Sequence, residues 1–219
     1  MDAVLWDMDG LLVDTEPLWT RAEQELAGSF GQGFTAEMKA AVVGTRLDLA
    51  VPGMLRMLGA PADEAQVART QQRLLDRMVE LFTEDLPPKP GAAELLAALH
   101  REGVPQALVS SSYRVLVDGV LATGLGPFAV TVAGDEVRDA KPHPEPYLTA
   151  AAALGVRPER CVVLEDSPAG IASGEAAGAA VVAVPHAAVA PMPAAPRRLV
   201  VRSLAEVDPA ALRVLVDRA

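Results

Sequence analysis

One short stretch near the start of the chain decides its fold class. Residues 3–10 read AVLWDMDG: four apolar residues, two aspartates separated by a methionine, and a glycine. An apolar run of this length without polar alternation is typical of a strand buried in a parallel sheet. A weaker run occurs at residues 199–201. Four further runs like the first lie at residues 105–109, 130–133, 161–164 and 180–184.

Helical patterns separate these apolar runs. They lie at residues 94–100, 113–122, 147–154 and 169–177. Strands that alternate with helices of this length indicate βαβ units. We therefore predict an α/β fold, a Rossmann-like parallel sheet with helices on both faces.

One interval interrupts this alternation. Residues 14–87 contain no convincing strand, and a structureless loop of that length is implausible inside a compact domain. Helical patterns instead occur at residues 17–27, 35–43, 47–58 and 63–84. We predict a helical domain at residues 15–87, inserted into a sheet domain made of residues 1–14 and 88–219.

Polar side chains follow the predicted strands. In an open parallel sheet, ligands bind beyond the carboxyl ends of the strands, so these side chains should converge at one edge. Lys141 lies in the loop after the third run. The residues that directly follow a run are Asp7, Asp9, Ser110, Ser111, Glu165 and Asp166.

The carboxylates at this edge suit two tasks. Asp7 and Asp9 are two residues apart, so an extended backbone points both the same way, and one can attack while the other carries a proton. Glu165 and Asp166, together with Asp7, offer the oxygen ligands that Mg²⁺ prefers. The ordinary alternatives are a turn at Asp7–Gly10 and a helix cap at Glu165 and Asp166.

The remaining polar residues suit phosphate. Ser110 and Ser111 precede a predicted helix, and a helix N-terminus with a hydroxyl binds anions, although the serines also serve as ordinary caps. Lys141 is one of only three lysines, and its ammonium would neutralise a phosphate and an attacking carboxylate together. A solvated surface lysine is the alternative.

Four motifs in order resemble the haloacid dehalogenase-like (HAD) hydrolase superfamily. The narrower similarity is to the subfamily of β-phosphoglucomutase and small sugar-phosphate phosphatases. The resemblance covers nearly the whole chain. Its motifs are residues 7–17 (DMDGLLVDTEP), Ser110 after residues 107–109, residues 141–147 (KPHPEPY) and residues 164–171 (LEDSPAGI).

The resemblance implies a mechanism. Asp7 would form an aspartyl-phosphate, and Asp9 would act as the general acid and then the general base. Mg²⁺ would be held by Asp7, the backbone carbonyl of Asp9, Glu165 and Asp166. The transferring phosphoryl group would be bound by Ser110 and Lys141.

The resemblance also assigns the insert as a mobile cap that closes over the substrate. Gly44, Thr45 and Arg46 resemble the family's substrate-facing cap loop, and Glu16 and Trp19 would line the cap interface. A surface arginine at a helix start is the alternative for Arg46. A core anchor is the alternative for Trp19.

Departures from the mutase pattern favour a phosphatase. Trp19 stands where β-phosphoglucomutase has a histidine, and Leu47 stands where it has an arginine. Tyr113 and Arg114 replace a Lys-Asn pair. We expect a small sugar or polyol phosphate as substrate. The alternatives are a sugar-phosphate mutase, a phosphoacceptor signalling domain and a non-catalytic phospho-ligand-binding protein.

Composition narrows the class of partner. The 219 residues include 29 acidic and 19 basic ones, a net charge of −10 that disfavours nucleic acid and anionic membranes. Prolines interrupt the most apolar stretch, residues 176–196, so we expect no membrane span. A single cysteine and the absence of a secretory signal favour a cytoplasmic enzyme, and we expect a monomer.

Overall fold

The computed structural model of the chain describes residues 1–42, 45–84, 86–185, 193 and 195–218. Six strands lie in this part of the chain: β1 (Ala3–Trp6), β2 (Gln106–Val109), β3 (Val130–Val132), β4 (Cys161–Glu165), β5 (Ala180–Ala183) and β6 (Arg198–Val200). The helices of the same part are α1 (Glu16–Ser29), α2 (Ala36–Val42), α3 (Leu47–Met57), α4 (Glu64–Phe82), α5 (Ala92–Arg101), α6 (Arg114–Ala122), α7 (Glu145–Leu154), α8 (Pro168–Ala176) and α9 (Pro209–Val216).

The strands form one sheet in the order β3-β2-β1-β4-β5-β6, and every neighbouring pair is parallel. This is the strand order of the Rossmann fold, so the predicted fold class is confirmed. The chain places β2 and β3 on one side of β1, and then β4, β5 and β6 on the other side. The order of the strands therefore reverses between β1 and β4. The crevice beyond the carboxyl ends of these two strands is therefore the expected place for a ligand.

Both faces of the sheet are covered, as predicted. On one face, Tyr147 of α7 and Ile171 of α8 pack with Leu5 and Val163 in a buried apolar cluster. Trp6 follows Leu5 and so points to the other face. There its indole N–H donates to the Gln106 side chain at 3.0 Å, and Gln106 donates to a backbone carbonyl of α5 at 3.2 Å. These contacts satisfy two large polar groups inside the protein.

The chain divides into two compact units. The first comprises residues 1–14 and 87–219, and the second comprises residues 15–86. The second unit is built from α1 to α4, the four helices that the insert's sequence predicts. In α4 the carboxylate of Asp63 caps the N-terminus by accepting the N–H of Gln66 at 2.9 Å. Leu74, Met78 and Leu81 recur at helical spacing on its buried face.

The sequence patterns did not predict α9. Its apolar residues nonetheless recur at helical spacing, and its start carries capping residues. Asp208 accepts the N–H of Ala211 at 2.7 Å, and Pro209 occupies the first helical position. Leu212 and Leu215, which both lie in α9, are buried.

Candidate active site

The first polar residues of the site follow β1. Asp7 continues the strand, and its N–H donates to the Leu164 carbonyl of β4 at 3.0 Å. Gly10 then turns the chain with a φ of +83°, a conformation that favours glycine. Its N–H donates to the Val13 carbonyl and closes the turn. The turn that the sequence offered as an alternative is therefore present, and it carries the two aspartates at the strand end.

Lys141 links the ends of three strands. Its ammonium donates to Asp7 Oδ1 at 2.7 Å, to Glu165 Oε1 at 2.7 Å and to the Val109 carbonyl at 3.0 Å. Its side chain is only 2% exposed, so it is not the solvated lysine of the alternative reading. Burial lowers the pKa of Lys141, but the carboxylates of Asp7 and Glu165 outweigh burial and hold this pKa well above its ordinary value.

Glu165 accepts hydrogen bonds from five donors of the protein. Its Oε1 accepts the Lys141 ammonium and the Tyr147 hydroxyl, the latter at 2.8 Å. Its Oε2 accepts the N–H groups of Asp166 and Ser167 and the Ser167 hydroxyl, at 3.0, 3.1 and 3.0 Å. Five donors exceed the roughly four lone-pair sites of a carboxylate, so this side chain is fully engaged by the protein.

A glycine makes room for this carboxylate. A Cβ placed on Gly170, in the first turn of α8, would lie 1.6 Å from Glu165 Oε1. The start of α8 is capped by Ser167, whose hydroxyl accepts the Gly170 N–H at 3.0 Å. The helix-cap alternative named Glu165 and Asp166, but the residue that caps α8 is Ser167, and Glu165 points into the site.

Three carboxylates form a cluster suited to a hard cation. One oxygen from each of Asp7, Glu165 and Asp166 lies within 4.8 Å of the others, and all three residues are buried. Burial and then the charge of Glu165 raise the pKa of Asp7 well above its ordinary value, although Lys141 opposes them. Three carboxylates and one ammonium leave two negative charges uncompensated when all are ionised. This donor set fits a divalent, oxygen-preferring ion such as Mg²⁺.

Asp9 has a different set of partners. The Ser110 and Ser112 hydroxyls both donate to Asp9 Oδ2, at 3.0 and 2.9 Å. The N–H of Ser112 donates to the Ser110 hydroxyl at 2.9 Å, which fixes the two serines relative to each other. Ser110 thus donates to Asp9, and its predicted role in binding a phosphate stays a prediction. Ser111 lies between the two, and its backbone carbonyl packs so closely on Gly134 that a Cβ there would lie 2.1 Å away.

The sequence offers Ser112 only as a helix cap or an anion-binding hydroxyl, and it gives Tyr147 no role in the site. Ser112 is two residues beyond Ser110, so the spacing argument that pairs Asp7 with Asp9 also predicts it. Tyr147 lies in the third motif, but no pattern predicts that its hydroxyl reaches Glu165. Burial, and then Glu165, raise the pKa of this phenol well above its ordinary value.

The predicted cap residues lie in the second unit. Glu16 forms an ion pair with Lys39 at 3.1 Å, and Trp19 is half-buried in α1 rather than a fully buried anchor. Thr45 is exposed. Arg46 directly precedes α3, and its guanidinium forms two hydrogen bonds with Asp48, at 2.7 and 2.8 Å. Gly44 lies outside the described residues.

The fold and this site together define an α/β enzyme with carboxylates and a buried lysine at its topological switch point. The model of the haloacid dehalogenase-like hydrolase family matches residues 1–178, and the chain belongs to that family. Among the described residues, no helix is long and apolar enough to cross a bilayer.

The chain is similar to several named phosphatases. Hexitol phosphatase B of Escherichia coli (strain K12) is 33% identical over 186 residues, covering 84% of this chain and 83% of that protein. A phosphorylated carbohydrates phosphatase of Thermotoga maritima is 32% identical over 180 residues, covering 81% and 82%. The crystal structure of CbbY from Rhodobacter sphaeroides in complex with phosphate matches with a TM-score of 0.86 at 28% identity, covering 97% of this chain and 99% of that chain. The predicted enzyme class, a HAD-like phosphoric monoester hydrolase, is confirmed.

Proposed function

We propose that the chain is a Mg²⁺-dependent phosphatase that hydrolyses a small sugar or polyol phosphate through an aspartyl-phosphate on Asp7. The observation that carries the proposal is the buried contact of Lys141 with both Asp7 and Glu165, beside an Asp9 held by two hydroxyls. The Asp7 carboxylate is thereby held at the Lys141 ammonium, whereas the Asp9 carboxylate is held apart from it by two serine hydroxyls. The relatives named for hexitol and for phosphorylated carbohydrates favour this substrate class.

The first half of the reaction transfers the phosphoryl group to the protein. An oxygen of Asp7 forms a bond to phosphorus as the bond from phosphorus to the ester oxygen breaks. Asp9 gives its proton to that departing oxygen, which leaves as the alcohol of the sugar or polyol.

The second half releases phosphate. Asp9, now ionised, takes a proton from a water molecule as the water oxygen forms a bond to phosphorus. The bond from phosphorus to Asp7 breaks, so the products are the alcohol and inorganic phosphate, and both aspartates return to their starting state. Lys141 holds the Asp7 carboxylate in place before attack and after release. Its contribution to the rate would come from offsetting the charge of the transferring phosphoryl group in the transition state.

The residues proposed to hold Mg²⁺ are Asp7, Glu165 and Asp166, with the backbone carbonyl of Asp9. When bound, the ion supplies positive charge to the phosphoryl oxygens. Glu165 contributes mainly its charge, because its oxygens are engaged by five donors from the protein.

The surroundings of Arg114 argue against the mutase alternative. Its guanidinium donates to Glu136 at 2.9 and 2.5 Å, to Asp118 at 3.3 Å and to Thr131 at 3.0 Å. Hydrogen bonds to Glu136 raise the pKa of Arg114. An arginine engaged by two carboxylates is poorly placed to hold the second phosphate that a mutase requires.

Phosphate release from a panel of monophosphates tests the proposal. The panel contains sugar, polyol and nucleotide monophosphates, each assayed with Mg²⁺ and again with a chelator. We expect release from one or a few sugar or polyol phosphates, its loss with chelator and its return when Mg²⁺ is restored. Chelator-resistant release would contradict the metal dependence. Isomer interconversion stimulated by a sugar bisphosphate, without net release, would instead establish the mutase.

A further inference from the structure

Tyr147 contacts Lys141 directly through its ring and indirectly through Glu165. The Lys141 ammonium lies 4.8 Å from the centroid of the Tyr147 ring, within the range of a cation–π contact. The Tyr147 hydroxyl donates to Glu165 Oε1 at 2.8 Å, and the same oxygen accepts Lys141 at 2.7 Å. The ring lies against the ammonium, and the hydroxyl holds the carboxylate that binds it.

The position of Tyr147 in α7 makes both contacts rigid. Its side chain has no solvent exposure, and it packs in the apolar cluster with Leu5, Val109 and Val163. These neighbours belong to β1, β2 and β4, the strands that meet at the site. A lysine side chain has four flexible carbons and a point charge, so its position depends on what surrounds the ammonium. Tyr147 supplies a fixed surface from the helix layer.

We propose that Tyr147 is a positioning residue, whose hydroxyl orients Glu165 so that Glu165 holds the Lys141 ammonium against Asp7. Without the hydroxyl, Oε1 keeps one donor where it had two, while Oε2 keeps its three. The Glu165 carboxylate would then be oriented mainly by the donors of Asp166 and Ser167 on its Oε2. The Lys141 ammonium would therefore no longer be held in line with Asp7. The consequence for turnover rests on the proposed phosphatase function, but the positioning itself does not.

The variant Tyr147→Phe isolates this hydroxyl, because it keeps the ring and its packing. The matched control is Ser173→Ala in the same unit. Ser173 is also buried, and its hydroxyl makes one hydrogen bond, to the His143 carbonyl at 2.6 Å. Both variants therefore lose one buried hydroxyl hydrogen bond, and only one of them loses it at Glu165.

The decisive readout is NMR of the lysine ammonium groups in protein labelled with ¹⁵N-lysine. The chain has only three lysines, so the signals are few. Lys39 and Lys89, with side chains 22% and 26% exposed, serve as internal references for the buried Lys141. In the wild-type protein we expect one ammonium signal whose protons exchange slowly with water. In Tyr147→Phe we expect that signal to shift and its exchange to become at least about fivefold faster.

A second readout is the affinity for inorganic phosphate with saturating Mg²⁺, measured by calorimetry. Loss of one buried hydrogen bond corresponds to roughly 3- to 10-fold in a binding constant, so we expect weakening of that size in Tyr147→Phe. Ser173→Ala should bind phosphate within about twofold of wild type and leave the Lys141 signal in place. The same weakening should appear in kcat for the best ester of the panel.

Two results would overturn the proposal. One is an unchanged Lys141 ammonium signal in Tyr147→Phe. The other is equal loss of phosphate affinity in Tyr147→Phe and Ser173→Ala, which would show a general structural effect. A wild-type protein that binds phosphate but releases none from any ester would overturn the proposed function alone, since both readouts would still decide the role of Tyr147.

Discussion

Charged side chains are arranged differently in the two units of the chain. At the edge of the sheet, Lys141 joins Asp7 and Glu165 where all three are buried. In the insert, Arg77 joins Glu25 and Glu80 on the surface, where the two carboxylates are 44% and 67% exposed. Exposed pairs contribute about 0–1 kcal/mol to stability. A buried group of charges is often no more stable than apolar residues of the same volume.

This contrast separates charges that serve solubility and local helix stability from charges that serve chemistry. The surface pairs of the insert are exchangeable, because water replaces a lost partner. The buried charges at the sheet edge depend on one another, because Lys141 is the ion-pair partner of both Asp7 and Glu165. Changes at the sheet edge should therefore alter activity strongly, and matched changes in the insert should alter it little.

The largest effect is expected for Asp7→Asn. The amide cannot form the aspartyl-phosphate, so phosphate release should fall by at least about 1,000-fold. The free energy of unfolding should stay equal or rise, because the variant removes one of several crowded buried carboxylates. Phosphate release and urea unfolding on the same preparations measure both quantities. Turnover near that of the wild type would disprove the assignment of Asp7 as nucleophile.

A smaller effect is expected for Gly170→Ala. The added methyl group would overlap Glu165 Oε1, so the carboxylate or the start of α8 must move. Overpacking of this kind destabilises by typically 1–3 kcal/mol, and we expect turnover to fall by roughly tenfold as Glu165 releases Lys141. Urea unfolding and the phosphate assay measure the two losses.

Gly53→Ala is the matched control in the insert. Gly53 lies in α3, and a Cβ there meets no atom within 4 Å. Replacing a helical glycine by alanine without a clash stabilises by about 0.5–1 kcal/mol, and turnover should not change. If the two glycine variants behave alike, the close packing of Glu165 on Gly170 has no functional role.

A more modest effect is expected for Ser112→Ala. The variant removes one of the two hydroxyls on Asp9 Oδ2 and leaves Ser110 in place. We expect kcat to fall by about 3- to 10-fold, with a change in unfolding free energy of about 1 kcal/mol or less. Steady-state kinetics with the best ester of the panel would measure it. Ser29→Ala, which removes an exposed hydroxyl of α1, should leave kcat unchanged, and a fall of equal size there would refute a specific role for Ser112.

The sequence predicts the strands and the sheet edge that carries the site, because the patterns that indicate them are local. Each apolar run predicts a strand, and the polar residue after each strand predicts the edge of the sheet where a site lies. The signals for Asp7, Asp9 and Glu165 are of this kind. Helix α9 was not predicted although its apolar residues recur at helical spacing, as they do at residues 147–154, a pattern of equal length that predicts a helix.

The partners of each polar atom are not predictable in this way. The sequence predicts that the Lys141 ammonium neutralises the Asp7 carboxylate, but not that it also donates to Glu165 and to the Val109 carbonyl. It likewise does not predict that the Ser110 hydroxyl donates to Asp9. Which lone pair accepts which proton depends on side-chain rotamers and on contacts between distant segments. Lys141 and Asp7, for example, are 134 residues apart.

The smallest expected effect is a pair of opposite pH dependences within α1. Burial raises the pKa of Glu23, although Lys39 opposes it, whereas a hydrogen bond from Arg77 lowers the pKa of Glu25. A raised pKa means that the folded protein binds more protons than the unfolded chain at pH values just above the ordinary glutamate pKa of about 4.3. The contribution of Glu23 to stability therefore falls as pH rises through that window. The contribution of Glu25 is present above about pH 4.3 and is lost as pH falls below it.

The variants Glu23→Gln and Glu25→Gln separate these two contributions, because glutamine does not titrate in this range. Between pH 4 and pH 7, Glu23→Gln should gain stability relative to wild type as pH rises, whereas Glu25→Gln should lose it. Urea unfolding of all three proteins across that range measures the differences, and added salt should reduce the exposed Glu25 effect more than the buried Glu23 effect. Parallel pH dependences would mean that burial does not control the titration of Glu23. The one buried carboxylate of this comparison in the insert would then behave like an exposed one, unlike the interdependent carboxylates at the sheet edge.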